Sequence, residues 1–512
     1  MIKPDHRFQA MIVHNGRIVL TGTNDEICRY DAREVVDLNG KTVLPGFIDT
    51  HCQIPEMIDD TRKVNLKSAE SIEEALSMLS EAAKHVKSDK WLIGRGISSK
   101  KLKEGRYPDR WELDKVSRNI PIYITSFDGH TILGNSRLLE VTGIDSSYVC
   151  ESGEVVDFNE KNEPTGIFHE LTIVKKLLSF CPPLYSDDNE CREAIEVFLR
   201  NHTKLGYTTL HSIFGNRPSQ LLRADYFIQL EKNNKLPLRI NMCWNGFYEN
   251  RMKIISGMGN NMLKIGPVKF LADGAIAEDT AFISQEYRDR PGTYGYLTEK
   301  EEILTEKITK AYKLGNNVCI HIIGDAALDY VIRLIKQIMD PERNNRFELI
   351  HCAVARPDQI EELKKLPVVV LKQPIFIQAP NTLHGEEKLG ELNQYYHSIK
   401  SFLDAGLIVS GGTDGPLSDM NPFAGIQAAV TRRSEDGKVT VNPQECISVY
   451  DAVKMFTVNG SYSNYEENLK GTLEEGKLAD FIVTDKNIFE TEPQEIRNIR
   501  VEATYVGGKS CF

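Results

Sequence analysis

Eight short apolar runs, five of them ending on a polar residue, recur through the middle of this chain with helix-patterned stretches between them. They are Val43–His51, Tyr207–Ser212, Arg239–Trp244, Val268–Asp273, Asn317–Gly324, Phe347–Val354, Pro367–Gln373 and Leu407–Asp414. The runs are near-continuously apolar rather than alternating, the pattern of strands covered on both faces. Segments such as Glu301–Leu314 and Leu328–Met339 carry helical spacing between them. Strands alternating with helices predict a parallel α/β sheet, most simply a closed (β/α)8 TIM barrel. An open doubly wound sheet is the alternative, disfavoured because no Gly-rich phosphate loop follows the first strand.

At 512 residues the chain exceeds one simple core. Its two ends read as one small β domain. Phe8–Gly22 reads as two strands joined by an Asn15-Gly16 turn, and Leu478–Asp485 and Val501–Gly508 read as further strands. The stretch between the first two barrel strands is far longer than a crossover helix. The expected organisation is a β-sandwich from residues 1–45 plus 465–512, a barrel from 46–64 plus 201–464, and an inserted α+β subdomain over 65–200. A helix of the insert is expected after Ser71, an N-cap candidate followed by Glu73 and Glu74.

A net charge of −11 argues against a nucleic-acid or anionic-membrane binder. No apolar run reaches membrane-spanning length, and the N-terminus lacks a signal-peptide pattern. Ten scattered cysteines without a C-x-x-C pair suit reduced thiols. These features predict a cytoplasmic protein.

The strand ends carry the chemistry. His51 and Gln53 sit two apart and so face one side, at the C-terminal end where barrel enzymes place catalytic groups. A zinc site would ordinarily prefer a second imidazole to the amide at 53. The fourth run offers Lys269 and Asp273, the fifth His321, the sixth His351 and the eighth Asp414. A lone strand histidine is more often a core residue, and Lys269 alone reads as a buried lysine paired with Asp273. Their convergence on one mouth points instead to a site.

Together with Pro45-Gly46-Phe47-Ile48-Asp49-Thr50-His51, Asp128-Gly129-His130, Val268–Gly274, His321–Asp325, Gly412–Pro416 and Gly471–Phe481, the chain resembles the amidohydrolase superfamily. The branch it resembles is family 3, which includes N-substituted formamide deformylases. The resemblance implies that His51 and the residue at 53 bind the more buried metal. It implies that Lys269 is carboxylated, that His321 and His351 bind a second metal, and that Asp414 contacts the metal water and handles protons. Gln53 departs from the family's His-x-His. It predicts one firmly bound zinc and a second site weakened at 53. His130 matches a family histidine over the active site, with a structural role as its alternative. His211 and Gln373 are further substrate-facing candidates, with core and surface placement respectively as alternatives. His169-Glu170 stands where relatives more often carry Arg-Glu. Cys52, Cys319 and Cys352 are expected to alternate away from the ligands as packing residues.

The implied activity is hydrolysis of a C–N bond in a small amide, formamide or cyclic amide by metal-activated water. A non-hydrolytic one-metal member (decarboxylase, lyase or isomerase) and a metal-poor binding or regulatory protein are the alternatives. A homodimer is a family-based expectation.

Overall fold

The apolar runs form eight parallel strands in one sheet. They are β1 (Phe47–Cys52), β2 (Tyr207–Phe214), β3 (Arg239–Asn245), β4 (Leu263–Leu271), β5 (Val318–Ile322), β6 (Phe347–His351), β7 (Val368–Lys372) and β8 (Val409–Gly411). The hydrogen-bonded order runs from β8 through β7 and onward to β1 without a break in sequence. This computed structural model describes all residues except 1–6, 87–89, 100, 127–130, 151–153, 170–172, 174–175, 178, 183, 186, 215–217, 246–254, 344, 380–381 and 383–384. The sheet curls until its edges meet. Asp414 N donates to His51 O at 2.7 Å, and Thr50 Oγ1 donates to Gly411 O at 3.0 Å. A Cβ at Gly412 would lie 2.8 Å from His51 N, so only glycine lets the two edge strands approach this closely. The result is a nearly closed (β/α)8 barrel.

The run Val43–His51 proves to be two strands. Thr42–Pro45 pairs antiparallel with Phe481–Thr484, and β1 starts only at Phe47. Gly46 between them is forced by crowding, because a Cβ there would sit 2.2 Å from the Thr208 side chain. The chain thus passes directly from a terminal sheet into the barrel. That sheet has four strands, completed by Val501–Val506 and Lys509–Ser510. The Ala10–His14/Arg17–Gly22 hairpin turns through Asn15 and Gly16, both at positive φ, as its Asn-Gly sequence requires.

Helices cover the barrel where their apolar spacing allows. Asp325–Ile338, between β5 and β6, buries Leu328, Val331, Ile332, Leu334 and Ile335. Each such side chain contributes on the order of 1.5–3 kcal/mol. The chain divides into two compact units, residues 1–57 with 194–512, and residues 58–193. The second unit holds a six-stranded mixed sheet and the helix Ile72–Ala83, whose Ser71 cap accepts from Glu74 N at 3.1 Å. Among the described residues no helix is long and apolar enough to cross a membrane.

Candidate metal centre

Strand alternation puts Asp49 and His51 on one side of β1, with Gln53 just beyond its end. Asp49 is fully buried and accepts from His51 N (3.0 Å), Thr413 N (3.0 Å) and Thr413 Oγ1 (2.5 Å). One carboxylate thereby ties the end of β1 to the chain leaving β8. Burial raises its pKa to about 7, against those hydrogen bonds. Asp49 lies in the Pro45–His51 motif but carries no role on sequence grounds, although its place two residues before His51 was the available signal.

Two of the imidazoles are held from behind. His321 Nε2 donates to Gly274 O at 3.0 Å, which leaves the Nδ1 lone pair unprotonated. His351 Nδ1 donates to Gln373 Oε1 at 2.5 Å, which leaves Nε2 unprotonated. Ligating histidines are normally oriented in this way. Gln373 therefore positions a ring rather than lying at the surface. The backbone beneath His351 is strained, with φ of 69° there and 43° at Cys352. Lys372 Nζ donates to Cys352 O at 2.8 Å and steadies that conformation.

The inward-facing atoms converge. Ligand atoms of His51, His351 and Asp414 all lie within 4.8 Å of one another, and all three residues are buried. The His321 ring stands 4.7 Å from that of His351, centroid to centroid. Asp414 Oδ1 lies 3.2 Å from His51 Nε2, and Oδ2 lies 4.0 Å from His351 Nε2. His51 Nε2 also lies 3.3 Å from Lys269 Nζ. A single ring nitrogen holds either a proton for Asp414 or a lone pair for Lys269, so it cannot satisfy both. A cation shared by His51, Asp414 and His351 resolves the conflict, and the donor set of two imidazoles and a carboxylate suits zinc. The residues fit a divalent metal.

The electrostatics agree with this arrangement. Burial, with Lys269 nearby, pushes His51 down and takes His321 down to about 4, and burial, with His321 nearby, holds His351 well below its ordinary value. The lowering favours the neutral imidazole, the form that binds metal. Burial also lowers the Lys269 ammonium pKa. Burial alone would raise the Asp414 carboxyl, yet the adjacent His51, His351 and Lys269 hold it well below the usual range.

The remaining expected residues fall as follows. Gln53 Nε2 donates to Asp414 Oδ1 at 3.2 Å, so its amide is engaged with the carboxylate. Asp273 does not pair with Lys269. It accepts from Phe282 N (2.9 Å), Ile323 N (2.9 Å) and Gly324 N (2.7 Å), stitching together the loops after β4 and β5. His211 is not at the end of its strand, because β2 runs on to Phe214 and encloses it at 1% exposure. His130 and Glu170 lie outside the described residues. His169 pairs with Asp157 at 3.3 Å and Thr131 Oγ1 at 3.1 Å. Cys52, Cys319 and Cys352 are all buried. Cys319 does not alternate away from His321: two residues before it, it shares that face of β5.

The amidohydrolase family model matches residues 34–512. The chain is 27% identical to the putative amidohydrolase YtcJ of Bacillus subtilis (strain 168), over 100% of this chain and 97% of the relative. It is 24% identical to the N-substituted formamide deformylase of Arthrobacter pascens, over 98% of this chain and 94% of that protein. Its fold resembles that of an uncharacterised metal-dependent hydrolase from Pyrococcus horikoshii OT3, with a TM-score of 0.78, 24% identity and 94% of each chain covered.

Proposed function

The chain belongs to the amidohydrolase family, and from that premise we propose that it is a metal-dependent hydrolase cleaving the C–N bond of a small amide, formamide or cyclic amide. The observation that carries the reading is the convergence of His51, His351 and Asp414 within 4.8 Å, with the remote nitrogens of His321 and His351 already satisfied. His51, His351 and Asp414 would hold the ion, with His321 through Nδ1 and Lys269 beside them. When bound, a divalent ion supplies carbonyl polarisation and a water acidified towards neutrality.

The chain's own residues do the rest. Asp414, held ionised by its neighbours, accepts the proton of the attacking water and returns it to the leaving amine. Gln53 donates to Oδ1 and so fixes the carboxylate, leaving Oδ2 towards His351. Burial favours the free amine of Lys269, the form that adds CO2 to give a carbamate and a released proton. The formamide deformylase among the relatives supports formamides as the first substrates to try. With Gln53 engaged, one zinc is bound firmly and a second weakly.

The test is elemental analysis of the purified protein, followed by assay against N-formyl, N-acetyl and cyclic amides with and without a chelator. About one zinc per chain and chelator-sensitive amine release are expected. A protein that binds no metal, or a loaded one that releases no amine from any of the three classes, overturns the proposal.

A further inference from the structure

A second polar cluster lies inside the barrel at its opposite end, beneath His51. Residues paired in register on neighbouring strands share a face. Thr209 and His211 on β2 pair with Arg239 and Asn241 on β3, and Asn241 pairs with Lys264 on β4. These side chains meet residues from the segment that leads back to the terminal sheet. Arg239 forms a two-pronged pair with Asp480 at 2.7 and 2.8 Å. Glu466 takes Lys264 at 2.7 Å, Lys470 at 2.8 Å and Asn241 at 3.3 Å.

Two features of this floor are unresolved by its own residues. The first is charge. Among the described residues, Arg239, Lys264 and Lys470 pair with two carboxylates, Glu466 and Asp480, which leaves one positive charge over. Lys470 is 1% exposed and Glu466 is 2% exposed, so water does not screen the excess. An uncompensated buried charge is strongly unfavourable. The second is hydrogen bonding. Thr209 Oγ1, both ring nitrogens of His211 and Asn464 Nδ2 are buried without a hydrogen-bond partner, and Lys470 Nζ has only the Glu466 carboxylate. Orphaned polar atoms are rare in native interiors and call for an unseen water or ion. Thr209 and His211 share one face of β2 by register, and His211 and Lys470 offer an imidazole N–H and an ammonium. His211 feels Lys470, Glu466 and Lys264 on one side and His51 on the other. It therefore stands between the two polar ends of the tube.

We propose that the barrel floor binds a small monovalent anion of the halide class, held by Lys470 and His211 opposite Glu466. The anion cancels the surplus charge and accepts from the orphaned donors. Water alone would do the second and not the first. This site is independent of the reaction at the mouth.

Bromide tests the proposal directly. Crystals of the full-length protein soaked in sodium bromide should show one anomalous peak in contact with Lys470 Nζ and His211. Ordered water there, with no bromide, overturns the assignment. In solution, the melting temperature of the wild type should rise saturably with sodium chloride and stay flat in sodium gluconate at equal ionic strength. Lys470→Met removes the surplus charge and should melt alike in both salts. An equal chloride response in the wild type and Lys470→Met overturns the site, including the case of a halide bound at the mouth. If that variant does not fold, the bromide map of the wild type decides alone.

Discussion

The two ends of the barrel bury polar groups in opposite ways. At the floor, charged side chains are mostly held by one another: Arg239 by Asp480, and Lys264 and Lys470 by Glu466. At the mouth, two imidazoles are held from outside by neutral acceptors, Gly274 O and Gln373 Oε1, and their inward nitrogens are left unpaired. The difference teaches how a scaffold separates stability from capture. Groups that satisfy each other lock the fold, whereas groups satisfied from behind keep a coordinating face open.

The strongest challenge to this contrast is removal of a mouth ligand. His351→Ala should lose nearly all bound metal by elemental analysis while its denaturation midpoint without metal changes little. Retained metal would break the comparison. The converse experiment is Arg239→Leu, which strands Asp480 in the interior. It should destabilise the protein by about 3–5 kcal/mol in chemical denaturation and leave metal per chain unchanged.

A smaller effect is expected from support alone. Gln373→Leu keeps every ligand but frees the His351 ring, and should weaken metal affinity by about 10–100-fold in chelator competition. An unchanged affinity would show that the ring needs no orientation.

Acid sharpens the contrast further, because some buried histidines lie away from the ligand set. Burial holds His202 at about 4 and His211 at about 3, against an ordinary 6.5. Below pH 6.5 the unfolded chain takes up protons that these folded rings refuse. Stability should therefore fall as pH drops from about 6.5 towards 4, and stay level with respect to these groups above 6.5. The fall should persist in metal-loaded protein and become shallower in His202→Gln. The smallest change expected is in Gln53→His, which should raise metal stoichiometry from about one towards two under the same zinc supply. Two tightly held ions in the wild type would remove the role given to Gln53.

The strand ends were legible in the sequence because a buried parallel strand announces itself as an apolar run and stops at a polar residue. His51 and Asp414 close such runs, and His321 and His351 lie near the ends of two others. What lay out of reach was the direction in which each polar atom is used. Asp273, four residues from Lys269, looks like its partner in one dimension. The structure turns it towards three backbone N–H groups that a strand pattern does not display. Gln373 looks like a pocket residue until the neighbouring strand brings His351 against it. His211 misled because the apolar run after Ser212 continues into Ile213 and Phe214, placing the ring inside the tube. Cross-strand neighbours decide these roles, and one sequence does not name them.

The seam between β1 and β8 has a consequence for how the protein comes into being. His51 belongs to the first strand of the ring and Asp414 follows the last, and they meet where Asp414 N reaches His51 O. A chain emerging in order exposes the first donor long before the final one exists. The complete ligand set thus appears only when the last strand docks on the first, so contacts distant in sequence must form before ion capture. Chains interrupted before Gly411 would carry three histidines and a lysine yet no carboxylate to complete the cage. The centre is in this sense a proofreader of its own synthesis, closing only around a finished ring.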